Sequence, residues 1–351
     1  MRAMMERMRL CLGTCAFGRA LDAAGAPLDG GPPLRGRRVS LELRSPRPNE
    51  RTAIGEPLWT GVRVVDALLT IGRGARVGIF GAPGAGKTTL LESLVDGCVA
   101  DAVVVALAGE RGREAQHWIA RCDERTTVVC ATSDRPAHER VVAAHVAVAH
   151  AQALRERGLD VLLVLDSLAR VAAASREIAV ASGESAGRGG YPPSVFAELA
   201  RLVEVAGAVS GGSITLIATV LSDGDDRDPV SEAARSLLDG HVALSVGLAQ
   251  AGRFPSVDVL SSTSRTMEMV ASEAHLRDAR TLRQTLSLLD RIKDARSLGI
   301  EPVESSARAA VAIESQIESF LRQSRQRCDR GAMLLQLARL AEIVEQANGD
   351  R

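Results

Sequence analysis

The sequence predicts an α/β fold with a mostly parallel central sheet and a helical C-terminal part, and two observations lead to this prediction. First, apolar runs of strand length alternate with helical stretches along the chain, at Asp101–Ala108, Thr126–Ala131, Val161–Asp166, Ser213–Leu221 and His241–Val246. Runs of this kind are typical of strands buried on both faces, because crossover helices cover a parallel sheet. Second, charged helical sequence replaces the strand signal after residue 275.

Three parts of the chain differ in pattern. Residues 1–52 are rich in Gly and Pro, and their short segments, such as Arg38–Leu43, are too few for a complete barrel. Residues 53–275 carry the alternating strands and helices. Residues 276–351 are helical, and apolar residues recur at helical spacing in Met333–Gln346. We therefore expect a partial N-terminal β segment with a linker, an α/β domain and a C-terminal helical domain.

Composition excludes several classes of protein. The 351 residues include 43 basic and 43 acidic side chains, so the neutral chain does not predict a surface that binds nucleic acid. Six scattered cysteines are typical of reduced thiols in a cytosolic protein. No apolar run approaches the roughly 20 residues that cross a bilayer, and the first residues lack the apolar core of a signal peptide.

The most specific motif is the run Gly81-Ala82-Pro83-Gly84-Ala85-Gly86-Lys87-Thr88, and Lys87 is the only lysine in the first 292 residues. Glycines let a loop point its N–H groups at an anion, and the following helix adds its positive dipole end. A strand, Arg76–Phe80, enters the loop and a helix, Thr89–Val95, leaves it. The motif predicts that Gly81, Gly84, Ala85, Gly86, Lys87, Thr88 and Thr89 bind the phosphates of ATP, with the Thr88 hydroxyl as a Mg²⁺ ligand.

A second candidate is Asp166, which ends the apolar strand Val161–Asp166. Beside the loop strand, its carboxylate would face the Mg²⁺ held by Thr88, directly or through a water molecule. The alternative is an ordinary aspartate that caps the next helix.

A third candidate is Glu110, in the charged run Gly109–Glu114 that follows the strand Asp101–Ala108. Ligands of such sheets bind at the carboxyl ends of the strands, where a carboxylate can orient and deprotonate an attacking water molecule. The alternative is a solvated turn, since charged runs usually lie at the surface.

Several further motifs occur together with these in one order along the chain. They are Glu56–Leu58, Thr60–Val62, Gly109–Arg111, Asp166–Arg170, Gly189–Phe196, Gly211–Thr215 and Ser264–Arg265. With the phosphate loop, they resemble the export ATPases of type III secretion systems and of the bacterial flagellum, which are relatives of the catalytic subunits of rotary ATP synthases. The resemblance extends from about Leu21 to Gln323, and Gly189–Phe196 and Gly211–Thr215 favour the export branch.

The resemblance implies a RecA-like ATPase that forms a homohexamer with ATP sites between subunits. It implies that Glu110 is the catalytic carboxylate and that Arg111 lies near the γ-phosphate. Arg265 would be an arginine finger that reaches the neighbour's site; the alternative is an ordinary surface arginine. Phe254 would stack on adenine; the alternative is a core phenylalanine.

The resemblance also implies partners and a location. We expect Mg²⁺-dependent ATP hydrolysis that energises protein export at the inner, cytoplasmic face of the cytoplasmic membrane. The expected partners are stator and central-stalk proteins of the secretion apparatus and chaperone–substrate complexes, with no nucleic acid. Membrane association would occur only through these partners.

The chain differs from the family at both ends. The N-terminal β-barrel of the family is represented only by its last part, near Leu21–Leu43, and the segment Leu298–Val303 lacks the family's Gly-Ala-Tyr type sequence. Two explanations stay open for the first difference: the natural chain begins further upstream, or its barrel is shortened.

Two other functions are compatible with such a core. One is an RNA translocase of the Rho type, although the 2% aromatic content offers few stacking platforms for RNA. The other is a ring subunit that binds nucleotide as a scaffold with little turnover.

Two loops carry weaker expectations. Ser182–Gly190 would line a central pore in the family, or is a flexible loop. Asp223–Pro229 would sense the nucleotide state, or is a solvated turn.

Overall fold

The computed structural model describes residue 5, residues 7–222 and residues 228–349. Within them the chain forms these strands: β1 (Arg9–Cys11), β2 (Arg19–Leu21), β3 (Arg38–Ser40), β4 (Pro57–Leu58), β5 (Ile71–Gly72), β6 (Arg76–Gly81), β7 (Ala102–Ala108), β8 (Thr126–Ala131), β9 (Asp160–Asp166), β10 (Gly207–Val209), β11 (Gly212–Leu221), β12 (Gly240–Leu244) and β13 (Val257–Ser264). The α-helices are α1 (Arg63–Leu68), α2 (Lys87–Gly97), α3 (Gly112–Ala120), α4 (Ala137–Arg155), α5 (Leu168–Ala181), α6 (Pro193–Glu204), α7 (Pro229–Leu237), α8 (Val246–Gln250), α9 (Met267–Val270), α10 (Glu273–Ser297), α11 (Ser305–Leu321) and α12 (Arg330–Gly349).

The chain divides into two compact units. Unit 1 contains Met1–Gly55, Arg73–Gly81 and Ala100–His241. Unit 2 contains Glu56–Gly72, Ala82–Val99 and Val242–Arg351. The chain therefore passes from one unit to the other inside the phosphate-loop motif, at the bond between Gly81 and Ala82.

The centre of unit 1 is a parallel sheet. Strands β6, β11, β9, β7, β8 and β2 lie side by side in this order, and each neighbouring pair runs parallel. All seven residues of β7 are buried, as are all six of β8. A strand buried on both faces needs apolar side chains throughout, which explains the continuous apolar runs of the sequence.

Helix α4 shows how the sheet is covered. It packs against β7, β8 and β9, and most of its residues are buried, including Val146, Ala147 and Val148. Small and β-branched side chains on every face of this helix let it lie close to the sheet on one side and under other helices on the other. The main apolar core of unit 1 thus lies between the sheet and its helices.

Unit 2 contains the C-terminal helices. Helices α10, α11 and α12 pack against one another and against α1. Asp66 lies in the first turn of α1, and its buried carboxylate accepts bonds from the preceding Thr60 amide, Thr60 hydroxyl and Gly61 amide, at 2.7–2.9 Å. Burial raises the pKa of Asp66 to about 6, against these hydrogen bonds. The turn that starts α1 is therefore fixed by a single side chain.

The structure confirms the predicted α/β fold with a mostly parallel sheet and helical C-terminal part. The predicted strands at Thr126, Val161 and Ser213 agree with β8, β9 and β11 within one residue. The prediction at His241–Val246 was too long, because the Ser245 hydroxyl accepts a bond from the Leu248 amide and starts helix α8.

Two features of the first 52 residues were not predicted. Arg19–Leu21 forms β2, which extends the parallel sheet beside β8. Strands β1 and β3 pair antiparallel. The assignment of this region to the remnant of a barrel, and the boundaries at residues 52 and 275, stay predictions. None of the helices in the described residues combines the length and apolar character that crossing a bilayer requires.

Candidate active site

The phosphate-loop motif begins at the carboxyl ends of the parallel strands in unit 1. Gly81 is the last residue of β6 and lies in register with Leu221, the last residue of β11. The loop then enters unit 2, where Gly84 and Gly86 have φ angles of +82° and +91°. These left-handed conformations are accessible to glycine and strain other residues, which explains why the motif needs glycine there.

The loop leads into helix α2 without a side-chain cap. Gly86 is the N-cap residue, and it has no side chain that could accept a bond from the first turn of this helix. The first N–H groups of a helix have no carbonyl partner within the helix, so this helix start suits the binding of an anion. Lys87 Nζ donates to the carbonyl of Ala82 at 2.9 Å, so the ammonium group lies back across the loop. Thr88 and Thr89 follow on the same turn and are half-buried.

Beside this helix start, unit 2 contains a cavity that holds Phe254. Phe254 is 46% exposed, so it is not the core phenylalanine of the alternative interpretation. The cavity is lined by Val62, Gly86, Thr89, Leu90, Ser93, Phe254, Pro255, Ser256, Gln323, Ser324 and Arg325. An aromatic face next to the phosphate loop is a suitable surface for stacking a base.

In unit 1, Glu110 follows the end of β7 and is only 4% exposed. This burial contradicts the alternative of a solvated turn. Its Oε1 lies 2.7 Å from Arg170 Nε. Burial raises the pKa of Glu110 to about 8, the nearby carboxyl groups of Glu114 and Asp166 add to the rise, and Arg170 opposes it. The pKa of Glu110 is therefore raised from that of an exposed carboxyl group towards neutral pH, which suits a general base.

Asp166 ends β9, in register with Leu107 of β7. Its Oδ1 accepts a bond from the buried Thr219 hydroxyl at 2.5 Å. The next helix, α5, is capped by Ser167, whose hydroxyl accepts a bond from the Arg170 amide. The role of a helix cap thus belongs to Ser167, and the Asp166 carboxylate lies at the carboxyl edge of the sheet, close enough to Glu110 to act on its titration.

The two predicted arginines lie at exposed positions. Arg111 is the N-cap residue of α3 in unit 1, and Arg265 follows β13 in unit 2. Neither side chain has a hydrogen-bond or ion-pair partner among the described residues. Of the weaker expectations, Asp223–Arg227 lie outside the described residues, whereas Asp228 caps helix α7 by accepting a bond from the Ser231 amide at 2.8 Å.

Three side chains of these sites were not predicted: Arg170, Thr219 and Ser256. Arg170 lies in the motif Asp166–Arg170, but no role was given to it. The sequence could have indicated a role for Thr219, because a polar residue in an apolar strand such as β11 needs a hydrogen-bond partner when it is buried. The sequence could not have indicated a role for Ser256, because its hydrogen bond to Ala85 in the phosphate loop forms only in the folded chain.

The sequence is similar to a family of nucleotide-binding proteins and to individual members of known function. The model of the ATP synthase alpha/beta family, nucleotide-binding domain, matches residues 61–264. The chain is 42% identical over 327 residues to the flagellum-specific ATP synthase of Bacillus subtilis strain 168, covering 91% of this chain and 75% of that protein. It is 44% identical over 321 residues to the type 3 secretion system ATPase of Xanthomonas euvesicatoria, covering 89% and 73%.

Solved structures agree with these matches. The assembled ATPase EscN of the enteropathogenic E. coli type III secretion system has a TM-score of 0.90 and 37% sequence identity, covering 95% of this chain and 84% of EscN. EscN in complex with its central stalk EscO has a TM-score of 0.88 at the same identity, covering 95% and 83%.

Proposed function

Because the chain belongs to the ATP synthase alpha/beta family, we propose that it is an ATPase whose hydrolysis of ATP energises type III protein export. The observation that carries the proposal is the buried Glu110 carboxylate, held by Arg170 at the sheet edge where the phosphate loop begins at Gly81. Two of the relatives above are named a type 3 secretion system ATPase and a flagellum-specific ATP synthase, and each is over 40% identical to this chain over the aligned residues.

The phosphate loop supplies the binding half of the reaction. The glycine backbone from Gly81 to Gly86 and the uncapped start of α2 suit a polyphosphate, and Lys87 adds a positive charge. Thr88 and Asp166 offer oxygen atoms, the ligand type that Mg²⁺ prefers, and we assign the ion to them, with Asp166 acting directly or through water. The ion would supply neutralisation of phosphate charge.

Glu110 supplies the chemical half. Its carboxylate would orient the attacking water molecule and accept its proton, a role that typically contributes 10²–10⁴-fold to a rate, on the order of 3–5 kcal/mol. Arg170 acts as a positioning residue, because it holds both the Glu110 carboxylate and the Gly109 carbonyl, the latter at 2.7 Å. Arg111 would lie near the γ-phosphate. Phe254 would stack on adenine.

Arg265 points to assembly. A guanidinium group without a partner among the described residues has no evident structural role in the subunit, which supports a finger that reaches the neighbour's nucleotide. We propose a homohexamer, and the EscN relative is likewise described as assembled. A central stalk would be one partner, as EscO is for EscN. Stator proteins and chaperone–substrate complexes would be others, at the cytoplasmic face of the inner membrane.

ATPase turnover per subunit, measured against protein concentration, tests this function. The wild-type rate per subunit should rise with concentration and should not respond to RNA. Arg265→Ala should remove the rise, whereas Arg280→Ala, a change at another exposed arginine of unit 2, should not. Stimulation by RNA would favour a Rho-type translocase instead. A flat rate near zero at every concentration would favour a nucleotide-binding scaffold.

A further inference from the structure

Ser256 links the base cavity to the phosphate loop within unit 2. Ser256 is only 2% exposed, and its hydroxyl donates to the carbonyl oxygen of Ala85 at 2.5 Å. Ala85 is itself fully buried, so this bond is shielded from bulk solvent. The hydroxyl is also near Gly86, where an added Cβ would lie 3.5 Å from Ser256 Oγ. Ser256 thus contacts the loop at the peptide that joins Ala85 to Gly86.

That peptide decides which way a phosphate-binding group points. A trans peptide is planar, and its C=O and N–H groups point in opposite directions. When Ser256 holds the Ala85 carbonyl, the Gly86 N–H is directed to the opposite side of the loop. Glycine at φ +91° resists rotation of this peptide weakly, and a rotated peptide would offer an anion a carbonyl oxygen instead of an N–H.

We propose that Ser256 is a positioning residue that fixes the Ala85–Gly86 peptide in the orientation that binds phosphate. This inference rests on the proposed function, because it assumes that the loop binds a nucleotide. The Ser256 hydroxyl should therefore increase the affinity for ligands that carry phosphates and leave the affinity for the base and ribose alone unchanged.

The other end of the Phe254–Ser256 segment is fixed independently. The Phe254 carbonyl accepts a bond from the Gln323 amide at 2.8 Å. The Gln323 side chain accepts a bond from the Arg63 amide at 2.6 Å and donates to the Gly61 carbonyl at 2.7 Å. Phe254 therefore keeps its place when the Ser256 hydroxyl is removed, and the stacking surface for the base should be retained.

Calorimetric titration with ADP and with adenosine tests the proposal. Ser256→Ala should weaken ADP binding about 3- to 10-fold, the range expected for one hydrogen bond, and leave adenosine binding unchanged. Ser256→Thr keeps a hydroxyl and should restore ADP affinity. Ser262→Ala is the control, because Ser262 is a fully buried serine of β13 that does not line the base cavity; its hydroxyl donates to the Asp258 carbonyl and accepts from the Ala243 amide.

Results that contradict the role of Ser256 differ from results that contradict the proposed function. Wild-type affinity for ADP in Ser256→Ala, or an equal loss of ADP and adenosine affinity, would overturn the positioning role and leave the proposed function intact. A wild-type protein that bound neither ligand would overturn the proposed function and this inference with it. Melting temperatures of all variants show whether a loss of affinity reflects a loss of folded protein.

Discussion

Arg170 binds the buried carboxylate of Glu110 from the helix that follows the neighbouring strand, with Nε 2.7 Å from Oε1. The same guanidinium donates from Nη1 to the Gly109 carbonyl at 2.7 Å. One side chain therefore holds both the backbone and the carboxylate of the turn after β7. A buried carboxylate would otherwise resist ionisation, and this contact favours the charged form.

Replacement of Glu110 should separate hydrolysis from binding. Glu110→Gln keeps the size of the side chain and removes the base, so kcat should fall about 10²- to 10⁴-fold while ADP affinity is retained. Steady-state hydrolysis and calorimetry measure the two quantities. Glu177→Gln is the control, because Glu177 is also paired to an arginine, Arg140, but is exposed. Hydrolysis by Glu110→Gln at the wild-type rate would remove Glu110 from the mechanism.

The pH dependence of hydrolysis should report the Arg170 contact. The positive charge of Arg170 lowers the pKa of Glu110, against the larger effect of burial. Arg170→Ala should therefore shift the acidic limb of the kcat profile to higher pH, and Arg170→Lys should shift it less. An acidic limb that stays in place in Arg170→Ala, with only its height reduced, would show that Arg170 does not act through the ionisation of Glu110.

Glu110 should also make stability depend on pH. Its pKa is raised from 4.5 to about 8 in the folded protein. Between these values the folded state keeps a proton that the unfolded state has lost, so the free energy of unfolding should fall as pH rises through this window. Glu110→Gln should lose this dependence of stability on pH, because the amide does not titrate. Urea unfolding of both proteins at pH 5, 6.5 and 8 measures it; equal slopes in the two would contradict the assignment.

The sequence predicted the parts of the site that depend on neighbours along the chain. The phosphate loop is a local run with glycines at the two left-handed positions, Gly84 and Gly86. Strands such as β7 could be predicted because both of their faces are buried, which gives a continuous apolar run in the sequence. Glu110 and Asp166 were placed at one sheet edge by the rule that parallel strands end together.

The sequence did not predict contacts that form only when distant segments meet. Arg170 and Glu110 lie on different strand–helix units, and the Ser256 bond to Ala85 spans 171 residues. Strand β2 was missed for another reason: three residues are too short to show a period, and their partner β8 comes over a hundred residues later.

Phe254 should contribute affinity for the base. Phe254 is 46% exposed and lines the cavity beside Gly86, so a bound adenine would cover it. Phe254→Ala should weaken adenosine and ADP binding by the same factor, about 5- to 10-fold, since an aromatic stack is worth about 1 kcal/mol or more. Leu260→Ala is the control: Leu260 is an apolar residue that is 39% exposed and does not line this cavity, so its replacement should change neither affinity. Unchanged adenosine binding in Phe254→Ala would place the base elsewhere.

Mixing of inactive variants should show whether Arg265 acts in a neighbouring subunit. Lys87→Ala disables a subunit's own phosphate loop, and Arg265→Ala removes its finger. In rings assembled from equal amounts of both, about one quarter of the interfaces would pair an intact loop with an intact finger, because each interface draws one subunit for each side. Hydrolysis should therefore reappear on mixing. A mixture of Lys87→Ala with Glu110→Gln should stay inactive. Lys87 and Glu110 both belong to the half of the site that a subunit supplies for its own nucleotide, so every subunit in this mixture has a defective half. Failure of the first mixture to regain activity, at concentrations where the wild type is active, would show that Arg265 does not serve a neighbour's site.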